Sequence, residues 1–222
     1  MNYKPLERDF YMTGAAETAR HLLGMLLVRR DHDGHTSGII VETEAYAGHS
    51  DAACHSYKRP APGGNHRTNV MFGQGGYAYV YFIYGMHCCF NVVTNTPEYP
   101  EAVLIRALEP VEGIELMRER RGVSDIRNLC SGPGKLCKAL GITKADYGAD
   151  LCGNELFISC GKTVRDEAVA STPRNNVDYE GDAAAYLFRF VIRDNRFLST
   201  RKHLPSARRK IKLTNEKMRE IN

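Results

Sequence analysis

A chain of 222 residues with 43% hydrophobic side chains can bury one substantial core, and a net charge of +4 is too small to mark the whole protein as a polyanion binder. The longest apolar runs, such as Leu22-Leu-Gly-Met-Leu-Leu-Val28, are far too short to span a bilayer, and the start Met1-Asn-Tyr-Lys-Pro-Leu-Glu-Arg-Asp9 is too charged for a secretory signal, so a cytoplasmic protein is expected. Seven cysteines without C-x-x-C spacing, two of them the neighbours Cys88 and Cys89, suit reduced thiols better than a disulfide framework or a zinc site.

Thr13 is placed to cap a helix running to about Leu23, with Ala16, Ala19, Leu22 and Leu23 on one stripe and Gly24 as a left-handed stop. Met25 to Arg30 reads as a strand, Asp31-His32-Asp33-Gly34 as a hairpin turn and Thr36 to Tyr46 as the partner strand. Strict alternation puts Ile39, Val41 and Thr43 on one face of that partner and Ile40, Glu42, Glu44 and Tyr46 on the other. Two carboxylates and a tyrosine on one side fit either a solvated edge or a site that requires a carboxylate. From Ala47 to Gly73, glycines and prolines break the chain into a long loop carrying Lys58, Arg59, His66 and Arg67, with a helical turn expected at Ser50 to His55. A loop this long in a compact domain is a place to look for function.

Gly75-Gly76 releases the chain into Tyr77-Ala-Tyr-Val-Tyr-Phe-Ile83, Tyr84-Gly-Met-His87 interrupts that run, and Cys88-Cys-Phe-Asn-Val-Val93 resumes it, a β-hairpin pattern. Period two gathers Tyr77, Tyr79 and Tyr81 into an aromatic wall and leaves Tyr84 near the tip, a large ring with no core to enter. Ala102 to Leu108 is another strand, with Arg106 between Leu104 and Leu108 on an apolar face, where its charge requires a carboxylate or phosphate partner. Glu109-Pro110 is expected to open a helix to about Arg121. Ser131-Gly-Pro-Gly-Lys135 opens a shorter one to about Leu140, closed by Gly141; its backbone around Gly134 and Lys135 offers a phosphate seat at a positive dipole end, although P-loop spacing is absent. Short strands are expected at Glu155 to Cys160 and Leu187 to Ile192. The last 22 residues hold Arg201, Lys202, Arg208, Arg209, Lys210, Lys212, Lys217 and Arg219 against Glu216 and Glu220, so nearly all the positive excess lies in what is either a solvated end or a phosphate-attracting arm. With no internal repeat and no linker, the organisation is a single α+β domain over residues 1–200 followed by a basic tail, 201–222.

An aromatic wall, a ring at a hairpin tip, a carboxylate strand, an arginine and basic loops suit a protein that opens nucleic acid and works on a base. Stacking is worth about 1–3 kcal/mol per base, and a wedge can fill the gap left in a duplex. Val41-Glu-Thr-Glu-Ala-Tyr46, Tyr79-Val-Tyr-Phe-Ile-Tyr-Gly-Met86, Ile105-Arg-Ala-Leu-Glu-Pro110 and Leu129-Cys-Ser-Gly-Pro-Gly-Lys-Leu-Cys137 resemble, in order and spacing, the four signature blocks of the alkyladenine (3-methyladenine, N-methylpurine) DNA glycosylase family, a likeness covering roughly residues 8 to 200. The resemblance implies a mixed domain around a curved, mainly antiparallel sheet with a protruding β-hairpin that enters the minor groove. It implies a monofunctional, monomeric enzyme acting on double-stranded DNA with damaged purines, with no membrane, metal or organic cofactor involved.

By the same likeness, Glu44 is the base that activates water and Arg106 helps to hold that water. Tyr84 is inserted where the damaged nucleotide was, Tyr46, His55 and Tyr81 wall the base pocket, and Asn91 crowds the amino group of normal guanine. Gly134 and Lys135 are the candidate DNA-backbone contacts. The residues alone leave Glu42 and Glu44 as alternatives, and the resemblance selects Glu44. Arg174-Asn-Asn-Val-Asp-Tyr179 stands where family members have a glycine- and valine-rich segment contributing backbone to the water site. The competing readings are a non-catalytic nucleic-acid-binding protein that uses the same aromatic hairpin, and a small-molecule transferase sharing the fold, which leaves an exposed Tyr84 unexplained.

Overall fold

One long strand, β2 (Gly34–Tyr46), touches more of the sheet than any other in the computed structural model, which describes residues 3–59, 66–83 and 85–204. Along its first half it pairs with β1 (Leu26–Asp31) through the expected turn at residues 31–34, and along its other edge with β5 (Glu101–Glu112). At Glu42, Thr43 and Glu44 it also pairs with β8 (Arg189–Ile192), which carries β7 (Val169–Thr172). Beyond β5 lie β4 (His87–Thr94) and β3 (Ala78–Ile83), and beyond β1 lies β6 (Leu156–Ser159). All eight strands pair antiparallel in an open sheet running from β3 to β6. This is the single α+β domain expected.

Among the described residues, three α-helices pack on one face: α1 (Ala15–His21), α2 (Ile114–Arg121) and α3 (Pro133–Leu140). Leu22, Met117, Leu136 and Leu140 meet Leu27, Ile40, Phe90, Ile105 and Leu108 there in the main core. On the opposite face Leu26, Val28, Ile39, Val41, Ala107 and Val191 bury against Phe197 and Leu198. No helix among the described residues is long and apolar enough to cross a membrane, and all seven cysteines are free.

Strict alternation fails in the middle of β2, and the failure builds the site. The register with β5 shifts between Ile40 and Glu42 and again between Glu42 and Thr43, so that Ile40 opposes Leu108, Glu42 opposes Ala107 and Thr43 opposes Ile105. Each strand spends an extra residue here, which bends and twists the sheet. Ile40 therefore lies on the helix-covered face, as does Thr43, whose hydroxyl donates to Ala19 O on α1. Val41 faces the other way. Leu108 likewise parts from Arg106 and joins the main core. Glu42, Glu44 and Tyr46 do share a face, as alternation proposed.

Three further expectations are corrected. Helix α1 is capped through Gly14, with Glu101 Oε2 accepting from Ala15 N at 2.6 Å, while Thr13 Oγ1 meets Thr18 Oγ1 instead. Glu109-Pro110 does not open a helix: pairing with β2 carries β5 to Glu112, and Pro110 sits opposite Gly38 beside a register shift. A missing N–H is tolerated at such an irregularity. The turn into α2 is made by Gly113 at φ +69°, where a Cβ would lie 2.2 Å from His35 O. Ser50 to His55 is not a helical turn; a short 3₁₀ segment spans Gly48–Ser50, and the Asp51 carboxylate then takes the amides of Ala47 and Ala53, which competes with helix. Strand β7 was not anticipated.

The β3–β4 hairpin forms as expected, Ile83 opposing His87 across a tip with Gly85 at φ +70°. Phe82 and Met86 flank that tip at 49% and 71% exposure. Tyr84 lies outside the described residues, as does the chain from 205 to 222.

Candidate active site

Two fully buried carboxylates on β2 meet one arginine on β5. Arg106 Nε donates to Glu42 Oε1 and its Nη1 to Glu44 Oε2, both at 3.2 Å. The bulge makes this possible by turning Arg106 toward the carboxylates while Ile105 stays in the core. Burial disfavours the Arg106 charge, but Glu44 and then Glu42 outweigh that cost and raise its pKa.

The two carboxylates otherwise keep different company. Glu42 accepts from Arg189 Nε at 2.8 Å, from Ser199 N at 2.7 Å and from Ser199 Oγ at 2.8 Å, which ties the chain after β8 to the sheet. Glu44 accepts from Tyr46 Oη at 2.9 Å on Oε2 and from Asn175 N at 2.7 Å on Oε1. Tyr46, Arg106 and Asn175 all line a cavity of about 870 Å³. Burial, with Glu44 adding to it, raises the Tyr46 pKa, so the phenol stays an O–H donor to that carboxylate.

Tyr79 and Tyr81 of the tyrosine wall line the same cavity. Tyr77, Tyr79 and Tyr81 fall in one cluster with Tyr46, as period two required. The His55 ring meets Tyr81 edge-on at 4.8 Å, and its Nδ1 pairs with Tyr79 Oη at 3.0 Å. Burial, helped by Arg67 and Arg59, pushes the His55 pKa down to about 4, which leaves the imidazole neutral at pH 7. Asn91, on β4 between Tyr79 and Leu104, is buried and donates Nδ2 to Tyr79 O at 2.9 Å, fixing its amide at the cavity wall. Arg67 lies 5.5 Å from the Tyr81 ring centroid at the same cavity.

The structure thus gathers Arg106, Tyr46, His55, Tyr81 and Asn91 around one cavity, with Glu44 buried behind its wall and bonded to Tyr46, Arg106 and Asn175. Gly134 is at its wall, packed so closely that a Cβ would come within 3.1 Å of His87 Cβ. Lys135 stands apart, its Nζ 3.4 Å from Asn128 Oδ1 and from Ser131 Oγ.

Residues 174–179, the segment standing where backbone is expected at the water site, reach the acid through Asn175 N, and what the sequence did not show is the clamp that holds them. Arg174 and Asp51, both fully buried, pair at 2.5 and 2.8 Å, and Arg174 also donates to Ala45 O and Ala183 O while lying 4.8 Å from the Tyr46 ring centroid. This clamp places the next residue, Asn175, against Glu44. Arg174 lies in the polar stretch Ser171-Thr-Pro-Arg-Asn-Asn176, so nothing local marks it for burial, and its partner is 123 residues away. Asn175, Asn176, Val177, Asp178 and Tyr179 then close one side of the cavity.

The family model described as "Methylpurine-DNA glycosylase (MPG)" matches residues 9–196. The chain is 46% identical over 202 residues to a protein of Alkaliphilus oremlandii, with 87% of this chain and 98% of the relative covered. It is 47% identical over 198 residues to one of Methanocella arvoryzae, covering 88% and 96%, and 46% identical over 210 residues to one of Myxococcus xanthus, covering 95% and 99%. Each of these relatives bears the name "Putative 3-methyladenine DNA glycosylase".

Proposed function

The chain belongs to the methylpurine-DNA glycosylase family, and from that premise we propose that it releases damaged purines from duplex DNA by hydrolysing the N-glycosidic bond. The observation that carries this reading is the buried Glu44 carboxylate, met on both oxygens by donors from Tyr46, Arg106 and Asn175, beside an aromatic cavity of about 870 Å³. That volume is in the range of small-molecule pockets, and a flipped base is such a ligand.

Breaking the bond builds positive charge on the sugar. Glu44 stabilises that charge and takes a proton from the attacking water, while Arg106 orients the carboxylate and the water. Tyr46, Tyr81 and His55 sandwich the extruded purine. Alkylated purines carry positive charge, which the tyrosine faces attract and which makes the base a good leaving group. A neutral His55 adds no opposing charge. Asn91 crowds the exocyclic amino group of an undamaged guanine.

Tyr84, between the exposed Phe82 and Met86, fills the space the extruded nucleotide leaves in the duplex. The amide of Gly134 and the ammonium of Lys135 meet the DNA backbone, and the basic tail adds phosphate contacts. The reaction runs on a monomer without metal or Schiff-base chemistry.

Incubation with duplexes carrying one 3-methyladenine, hypoxanthine or ethenoadenine, followed by alkaline cleavage at any abasic site, tests the reading. Strand breaks at the lesion support it. Tight binding without breaks on all three would point instead to a protein that binds nucleic acid without cutting the base free.

A further inference from the structure

Three buried carboxylates at the site each have a guanidinium of their own: Glu44 meets Arg106, Glu42 meets Arg189 and Asp51 meets Arg174. Among the described residues, the Asp, Glu, Lys and Arg side chains that line the cavity are Arg67, Arg106 and Asp178. Arg106 belongs to those matched pairs, and Asp178 meets Lys202 Nζ at 3.2 Å. Arg67 is the exception. Its guanidinium makes no hydrogen bond or ion pair among the described residues and lies over the Tyr81 ring, 5.5 Å from the centroid. The adjoining stretch Pro60 to Asn65 contains no acidic residue to neutralise it. The cavity therefore carries one unmatched positive charge, and it sits against a ring of the tyrosine wall.

That charge is felt across the wall. Burial is the largest cause of the low His55 pKa and the charge of Arg67 the next, and Arg67 also opposes the upward push of burial on the Tyr79 and Tyr81 phenols. A purine stacked between Tyr81 and its neighbours lies in the same field.

Two classes of lesion meet this field differently. As the water oxygen bonds to C1′ and one water proton passes to Glu44, the C1′–N bond breaks and its electron pair leaves on the purine. A 3-methyladenine is cationic in the duplex and leaves neutral, so Arg67 repels it on entry and offsets the attraction of the Tyr81 face for a cation. A hypoxanthine is neutral in the duplex and holds the leaving pair as negative charge until it takes a proton from solvent. Arg67 attracts that charge as it develops in the transition state. We propose, on the glycosylase reading above, that Arg67 is a specificity-determining residue whose unpaired charge favours release of neutral purines such as hypoxanthine over cationic ones such as 3-methyladenine.

The test compares wild type, Arg67→Gln and Arg67→Lys in base release from duplexes carrying one hypoxanthine or one 3-methyladenine. The second-order rate constant is taken from the rise of rate with protein at low concentration, and affinity for undamaged duplex is measured against salt in parallel. Glutamine removes the charge, so release of hypoxanthine is expected to fall and release of 3-methyladenine to rise, moving the ratio of the two by on the order of tenfold or more. Lysine keeps the charge and is expected to hold the ratio within a few-fold of wild type. Each ratio is formed within one variant, so a partly unfolded preparation lowers both rates and leaves it intact. An unchanged ratio in Arg67→Gln overturns the assignment, as does a ratio that moves equally in both variants, since charge is then not the cause. Equal losses on both lesions, with weaker binding to undamaged duplex and a log–log salt slope shallower by about 0.9, would make Arg67 a phosphate contact instead. Release of 3-methyladenine but never of hypoxanthine by wild type also overturns the assignment while leaving the glycosylase reading in place. Release of neither lesion, nor of ethenoadenine, would overturn that reading itself.

Discussion

Glu42 and Glu44 accept from different nitrogens of Arg106, yet only Glu44 shares its remaining partners with the cavity wall. Glu42 is spent on Arg189 and Ser199. The two substitutions should therefore separate cleanly. We predict that Glu44→Gln keeps binding to damaged DNA and lowers single-turnover base release by about 10²–10⁴-fold, the range for a lost general base. Glu42→Gln should change the rate much less and lower the melting temperature, because it leaves two buried guanidinium groups short of charge. Equal rate losses, or a Glu44 change that mainly weakens binding, would remove Glu44 from the chemistry.

The Arg174–Asp51 pair should behave as a structural clamp with a catalytic consequence. Both residues are fully buried and the contact is two-pronged. Breaking such a pair typically costs about 3–5 kcal/mol, whereas replacing both members by neutral groups costs less. We predict a loss of that order for Asp51→Asn in urea unfolding, with part of it recovered in Asp51→Asn/Arg174→Met. Additive losses would show that the two side chains contribute independently.

Much of the fold was legible because its signals are local. The turn at residues 31–34, the left-handed stop at Gly141 and the tyrosines at period two each declare themselves within a few residues. The requirement that Arg106 meet a carboxylate or a phosphate also followed from its place on an apolar strand face, and its partners are the two carboxylates Glu42 and Glu44. What stayed hidden depends on distant pairing. The bulge that separates Ile40 from Glu42 is imposed by β5, some 65 positions later in the chain. Pro110 looks like a helix start until β2 claims it as a strand. Strand β7 is short and gains its identity only from β8. Asn175 is unremarkable as a letter, and becomes chemical because Arg174 anchors it beside Glu44.

His55 makes the stability of the pocket depend on pH. Its pKa is about 4 when folded and 6.5 as the ordinary value, so the unfolded chain binds the proton more readily. Stability from this group is fully present above about pH 6.5 and is lost as pH falls from there toward 4, roughly 3 kcal/mol if the whole shift is realised. We predict that the His55 ring shows no titration by NMR between pH 8 and 5.5, and that His55→Phe flattens the fall in melting temperature between pH 7 and 5. A midpoint near 6.5 would mean that the ring is solvated rather than packed against Tyr79 and Tyr81.

The basic tail is best tested by truncation, and the cut has to respect what the domain uses. Arg189, the partner of Glu42, also donates to Thr200 O at 2.8 Å and Lys202 O at 3.1 Å, while Lys202 Nζ pairs with Asp178 at 3.2 Å and Leu204 packs on the second core. Residues up to 204 are therefore kept, and deletion of 205–222 removes Arg208, Arg209, Lys210, Lys212, Lys217 and Arg219 together with Glu216 and Glu220. We predict that the shortened protein binds any duplex more weakly, damaged or not, while its base-release rate on saturating damaged DNA stays close to that of the full chain. Phosphate contacts set affinity without reading bases, and each one lost makes the slope of log affinity against log salt shallower by about 0.9. Not every basic side chain needs to meet a phosphate at once, so the slope should change by no more contacts than the six basic residues removed. Affinity measured from low to moderate salt for both proteins decides the matter, since superimposable lines would make the tail a solvated end with no part in DNA binding.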